Sequence, residues 1–268
     1  MSLNQSTAIK ILQLTDFHLR AETGGTLMGV DTEQSLIEVL DTALAEGIVP
    51  DLALLTGDLV QDPEPASYQR LAQILARLPC PAYCLPGNHD EPALMGNWLA
   101  GNQIYSQTCI VMDDWQIICL DSSIPGSPKG NLADAQLDLL ETCLKNHPKH
   151  NTLVALHHHP LPTGSVWMDT MQLQNADAFL AILTAYPSVR GVIFGHIHQS
   201  METGYQGIRM LGTPSTCFQF MPGRDNFALD PVPSGYRWLE LERNGEINTW
   251  VGRTKSPPKG LTVASNGY

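Results

Sequence analysis

Cysteine pairs at metal-finger spacing are missing from this chain of 268 residues: Cys80, Cys84, Cys109, Cys119, Cys143 and Cys217 are scattered and no CxxC occurs. A chain this long builds its core without staples, so the thiols read as buried and free, in a reducing compartment. Charge is sparse, at 16% of residues, and basic charge is the scarcer kind: 15 Lys and Arg against 27 Asp and Glu give a formal net charge of −12. A surface of that sign repels a phosphate backbone, which argues against nucleic-acid binding. It leaves room for a small anion wherever a local cation dominates. Long hydrophobic runs are absent as well. Stretches such as DLALLTGD at 51–58 are too short to cross a bilayer, so no membrane partner is expected. The opening MSLNQSTAIK has no basic start followed by an apolar core, which points to no secretory leader and a cytoplasmic location. No repeat or low-complexity break divides the chain. The reading is one domain over 1–251 and an extended Pro-, Lys- and Ser-bearing tail over 252–268.

What is present is an alternation of strands and helices. IKILQLTD at 9–16 has strand periodicity. Asp31 with Gln34 forms a capping-box pattern, Leu36, Leu40 and Leu44 share a helix face, and Gly47 ends it. DLALLTGD at 51–58 is a continuous apolar run, as expected of a strand covered on both faces. Helices are expected at 66–78, 134–146 and 173–186, a short strand within 81–90, a hairpin over 109–122 turning at Asp113-Asp114, and strands at 152–157 and 190–194. Short strands follow at 201–204, 207–211, 215–220, 235–242 and 246–251. The sum is an α/β domain with two packed sheets and helices outside both.

Five of the strands end in potential metal ligands. They give Asp16-x-His18, Gly57-Asp58, Gly87-Asn88-His89-Asp90, His157-His158-His159-Pro160 and Gly195-His196-Ile197-His198. Carboxyl ends of strands in α/β sheets converge on one crevice, so residues far apart in sequence can meet there. Carboxylate, amide oxygen and imidazole without thiolate suit Mn, Fe or Zn. Seven ligands are too many for one ion, but they suit two ions about 3.5–4 Å apart if a carboxylate bridges.

In this order, D-x-H, G-D, G-N-H-D, a late His and G-H-x-H resemble the calcineurin-like metallophosphoesterase superfamily. The resemblance spans residues 14–198. The segments TGDLVQD, LHHHPLPTGSVWMD and TPSTCFQF narrow it to the bacterial class III 3′,5′-cyclic AMP phosphodiesterases, over essentially the whole chain including the final Gly267-Tyr268. The resemblance implies a four-layer α/β/β/α sandwich with two mixed sheets. It implies a first metal held by Asp16, His18 and His198, a second held by Asn88, His158 and His196, and Asp58 as the bridge. His158 is selected from the triple His because the family's ligand stands two residues before a Pro. Asn88 and His89 would bind substrate, with His89 as the catalytic His outside the metal shell. The ions would be two divalent or mixed-valence metals, Fe or Mn foremost and Zn also fitting. The implied reaction is hydrolysis of 3′,5′-cyclic AMP to 5′-AMP by a metal-bound hydroxide.

The alternatives are a diesterase acting on glycerophosphodiesters or 2′,3′-cyclic nucleotides, another phosphatase or nuclease on the same site, and a non-catalytic metal-binding scaffold. Among the remaining residues, strand alternation turns His157 away from His158 and makes it a supporting or core imidazole. His159 either supports the site or faces solvent. Asp90 orients a loop, Asp62 supports His89 or its loop or caps a helix, and Arg20 is an exposed charge. TPSTCFQF either lines the pocket or is a plain strand. Late hairpins and the tail offer edges on which two copies can form a homodimer.

Overall fold

Side chains along the strand Ile9–Leu14 go alternately to two cores. Ile9 and Ile11 lie between two sheets, whereas Leu12 and Leu14 meet helices on the outer face. Leu52 and Leu54 against Ala53 and Leu55 repeat the division in Leu52–Thr56, and Leu153 and Ala155 against Val154 and Leu156 repeat it in the second sheet. Three apolar layers therefore separate four structural ones. The structure, a computed structural model, describes residues 8–101 and 103–262.

One sheet runs in the order Ile247–Arg253, Gly235–Leu241, Ile9–Leu14, Leu52–Thr56, Ala82–Leu85, Ile104–Tyr105. The other runs Met201–Tyr205, Ile208–Gly212, Val189–Phe194, Asn151–Ala155, Trp115–Cys119, Cys109–Met112. Each is parallel in the middle and antiparallel at one or both ends. Helices Thr32–Ala45 and Pro65–Leu75 cover the first sheet, and Asp134–Asn146 and Ala176–Ala185 cover the second. This is the expected α/β/β/α sandwich. Between the sheets, buried Gln13 donates to Thr56 Oγ1 at 3.0 Å and accepts from Thr213 Oγ1 at 2.6 Å, tying the two layers just below the ligand-bearing edge.

Asp31 caps its helix, its carboxylate accepting from Gln34 N at 3.0 Å, but the box is not closed: the Gln34 amide donates to Glu38 Oε1 at 3.3 Å instead. Other boundaries moved. The second helix ends at Leu75, and the 173–186 helix begins at Ala176 because the Asn175 side chain is engaged with the backbone of Leu132. Two short helices, Pro92–Trp98 and Val166–Asp169, were not expected. Of 215–220 only Gln219–Phe220 is strand, paired with Leu229–Asp230. The longer strands of the last third are divided between the two sheets, and Gln219–Phe220 with Leu229–Asp230 form a small sheet of their own. After Arg253 the chain packs along the domain until Thr262 N donates to Met28 O at 2.9 Å. The closing Gly267-Tyr268 lies outside the described residues. No helix among the described residues is long and apolar enough to cross a membrane.

Candidate metal centre

At the carboxyl edge of the parallel strands the backbone leaves its usual conformations. Asp16, His18, Asp58, His196 and His198 all have positive φ, between 46° and 67°. Left-handed backbone is costly for side chains with a Cβ, of order 1–3 kcal/mol where the surroundings enforce it. Here it turns each side chain sharply from its strand into the shared crevice. Close approach accompanies it: a Cβ on Gly87 would stand 2.1 Å from Asp58 Oδ1. Hydrogen bonds fix the loops to one another. Asp16 Oδ1 and Oδ2 each accept from His196 N at 3.1 Å, and Asp58 Oδ1 accepts from His89 N at 2.9 Å. Thr15 Oγ1 donates to Asp16 Oδ2 at 2.7 Å.

The imidazoles are oriented from behind. His18 Nδ1 donates to Gln61 Oε1 at 2.9 Å, and His198 Nδ1 donates to the Phe218 carbonyl at 2.8 Å. Each bond places the proton on Nδ1 and directs the Nε2 lone pair inward, the usual preparation of a metal ligand. The two Nε2 atoms face each other at 3.1 Å, with Asp16 Oδ1 at 3.3 Å from His198 Nε2 and Asp58 Oδ2 at 3.7 Å from His18 Nε2. Beside them, nitrogens of His157, His158 and His196 lie within 4.8 Å of one another. His158 Nδ1 bonds Ser122 Oγ at 2.8 Å. Its Nε2, like that of His196, is buried without a hydrogen-bond partner.

Buried orphan nitrogens normally cost too much to keep, and a cation resolves them. Burial also keeps these rings neutral. It drives His18 down to about 3, and it holds His158 and His196 well below the usual imidazole range, helped by charge on neighbouring imidazoles. Burial alone would raise the carboxyl groups of Asp16 and Asp58. The surrounding histidines, His198 foremost for Asp16 and His157 for Asp58, outweigh it and keep both low. The donor set thus fits two hard-to-intermediate cations, with Asp58 standing between the two groups of ligands.

His157 departs from its expected direction. Alternation does rotate its ring 89° from that of His158, yet both rings end at the site, centroids 4.9 Å apart. His157 Nδ1 donates to Thr56 O at 2.8 Å, and Nε2 lies 3.2 Å from Asn88 Oδ1 and 3.3 Å from Asp58 Oδ2. Burial pushes His157 down, but the Asp58 carboxylate lifts it to about 9. Its Nδ1 is held from behind like those of His18 and His198, and its Nε2 stands among the candidate ligand atoms beside Asp58 and Asn88.

His159 is fully buried, its ring stacked on His196 at 5.6 Å and its Nε2 3.7 Å from Asp169 Oδ1, so solvent is not its partner. His89 is half-buried. Its ring lies 5.0 Å from that of His18, and one nitrogen is within 4.8 Å of ligand atoms of His18 and Asp58, nearer than its place after Asn88 suggests.

Asp90 clasps loops: its carboxylate accepts from Leu59 N, Gly87 N, Val60 N and Tyr68 Oη at 2.9–3.3 Å. Asp62 accepts from Ala21 N and pairs with Arg20 at 3.2 Å. Gln61 and Ser122, which orient His18 and His158, were missed. Ser122 follows a strand end in CLDSS and carried the same positional signal as the others; Gln61 carried none.

Above the cluster opens a cavity of about 780 Å³. Asp58, Gln61, Asn88, His89, His196 and His198 form its polar end. No Lys or Arg lines it among the described residues.

The calcineurin-like phosphoesterase family model matches residues 9–200. A "3',5'-cyclic adenosine monophosphate phosphodiesterase CpdA" of Vibrio vulnificus is 45% identical over 262 residues, covering 97% of this chain and 96% of that one. The protein of the same name in Escherichia coli K12 is 40% identical over 261 residues, covering 97% and 95%. Among solved structures, a dimetal phosphatase from Danio rerio superposes with a TM-score of 0.63 at 14% identity, covering 93% of this chain and all of that one. Its likeness is one of fold. Five strand ends that gather lone pairs for cations, on this sandwich and with this family match, place the chain in the calcineurin-like phosphoesterase family.

Proposed function

We propose that this chain hydrolyses 3′,5′-cyclic AMP to 5′-AMP at a centre of two metal ions. The observation that carries the reading is the convergence of His18 and His157 on Asp58 and of His198 on Asp16, beside the unpartnered Nε2 atoms of His158 and His196, at the floor of a cavity that no Lys or Arg lines among the described residues. The substrate comes from the relatives, which match end to end and bear that activity in their names. Asp16, His18 and His198 would hold the first ion, Asn88, His158 and His196 the second, and Asp58 would serve both. The unpartnered Nε2 atoms of His158 and His196 support this choice within the triple His, and His159, without a hydrogen-bond partner as well, belongs to none of the ligand clusters among the described residues. Iron or manganese suits the carboxylate, amide and imidazole set, and zinc also fits.

When bound, the ions supply charge relief at the phosphoryl oxygens and lower the pKa of water to about 7. The protein does the rest. Asn88 ligates through a neutral amide and so leaves the positive charge of the centre intact. His157 steadies Asp58 and Asn88 from beneath. His89, at the cavity wall, donates a ring N–H to the departing 3′-oxygen or to a phosphoryl oxygen. Cytoplasmic work fits the six free thiols, a single domain over 1–251 with a tail fits the unbroken pattern, and the free edges of the sheets leave a homodimer open to test. Turnover of 3′,5′-cyclic AMP, 2′,3′-cyclic AMP and a glycerophosphodiester, after adding Mn, Fe or Zn to chelator-treated protein, decides it. Preference for the 3′,5′-cyclic nucleotide is expected. Equal or better turnover of the other diesters would overturn it.

A further inference from the structure

The polar end is the smaller part of the cavity wall. Much of the rest is made by Leu27, Met28, Trp167, Met171, Phe220 and Phe227, from three separate segments. Three of these are rings in mutual edge-to-face contact: Trp167 with Phe220 at 5.0 Å and 80°, Trp167 with Phe227 at 5.2 Å and 75°, and Phe220 with Phe227 at 5.5 Å and 67°. Such packing fixes the rings before any ligand arrives. Phe220 also stacks on His198 at 4.2 Å and 15°, so the aromatic wall begins at the metal centre itself. Trp167 and Phe227 are only half-buried and line the cavity, and the Trp167 Nε1–H has no hydrogen-bond partner. Hydrogen-bonding side chains on this side are few, Ser127 and Thr170 among them, and neither is charged.

A ligand that fills both halves carries a phosphate at one end and a flat, largely apolar group at the other. A nucleobase linked through ribose to the phosphate has that form, whereas a glycerophosphodiester would leave the aromatic wall in water. We infer that Trp167 and Phe227 form a stacking subsite for the base of the nucleotide and determine specificity for nucleotides over small phosphodiesters. The inference rests on the functional reading above for its substrate, and its geometry rests on the cavity. Stacking a base on one aromatic side chain changes affinity by roughly 5- to 150-fold.

The test uses the full chain loaded with Mn²⁺ and compares two probes, 5′-AMP and ribose 5-phosphate, which differ only in the base. Unaltered protein should bind 5′-AMP more tightly by about tenfold or more. Trp167→Ala and Phe227→Ala should each reduce that ratio at least about fivefold and raise KM for 3′,5′-cyclic AMP similarly. They should leave kcat and ribose 5-phosphate binding within about twofold. Trp167→Phe, which keeps an aromatic face with little change in packing, should restore most of the ratio. The inference is overturned if the unaltered protein binds both probes equally. It is also overturned if the alanine variants keep the ratio, or if they weaken both probes alike, which would mean that the wall merely supports the metal centre. Failure of the unaltered protein to turn over 3′,5′-cyclic AMP would remove the functional reading alone, because the ratio of the two probes decides the base subsite without turnover.

Discussion

His89 separates chemistry from metal binding. Its ring borders the cavity, and the ligand sets proposed for the two ions do not use it, although one ring nitrogen stands within 4.8 Å of ligand atoms of His18 and Asp58. His89→Ala should retain two ions per chain and lose roughly 10²–10⁴-fold in turnover of 3′,5′-cyclic AMP, the usual worth of a positioned acid. The loss should shrink for a nitrophenyl diester, whose phenolate leaves without a proton; an equal loss on both would assign His89 to the phosphoryl oxygens instead. The triple His offers the complementary comparison. His158→Ala should lose one ion by elemental analysis, and Asp58→Ala at least one. His157→Gln should keep both ions and act mainly on stability, and loss of an ion there would exchange the roles of His157 and His158. At this scale the sequence revealed ligand types well, because each candidate stood directly after a strand. It misjudged the reach of His157, because alternation gives the face of a strand and not the depth at which two sheets meet below a site.

Loops at the sheet edge are held by elements that do no chemistry. Asp90 accepts from three backbone amides and Tyr68, linking the loop after Leu52–Thr56 to the loop after Ala82–Leu85. These loops carry Asp58 and Asn88. Asp90→Ala leaves buried donors without an acceptor, at about 1–3 kcal/mol each. A loss of roughly 3 kcal/mol or more in urea unfolding is expected, together with weaker metal retention. Unchanged unfolding would show that water replaces the carboxylate. Gly87→Ala should be as severe for a different reason: its Cβ would lie 2.1 Å from Asp58 Oδ1 and 2.3 Å from Asp58 N, and the backbone atom has nowhere to move. Strands and long helices were legible because their apolar periods are regular. Val166–Asp169 was not, since four residues make no period, and it supplies Trp167 to the aromatic wall.

Across the whole molecule, the ligand-bearing edge is the place where the fold is least favourable on its own. It concentrates five left-handed non-glycine residues, two buried carboxylates and four orphaned imidazole nitrogens, on His158, His159 and His196, between sheets that are otherwise tightly apolar. Local order there opposes folding, and in the proposed two-metal centre the cations would offset it. The α/β/β/α architecture was visible in sequence through alternation of strand and helix, but the sharing of the last strands between both sheets was not, because pairing partners across the chain leave no local pattern. Metal removal should therefore lower stability without dissolving the fold. Ions that bind the folded chain alone stabilise it by about 2.7 kcal/mol when free metal stands at 100 times Kd. For a domain of this size each kcal/mol moves Tm by about 2–4 °C. Titrating Mn²⁺ into chelator-treated protein should raise Tm by about 5 °C or more, and Asp58→Ala should abolish most of that rise while lowering the metal-free Tm as well, since His157 and the His89 N–H lose their acceptor. A Tm independent of metal would mean that the strained edge is stabilised entirely by the protein, and would count against a centre built around the ions.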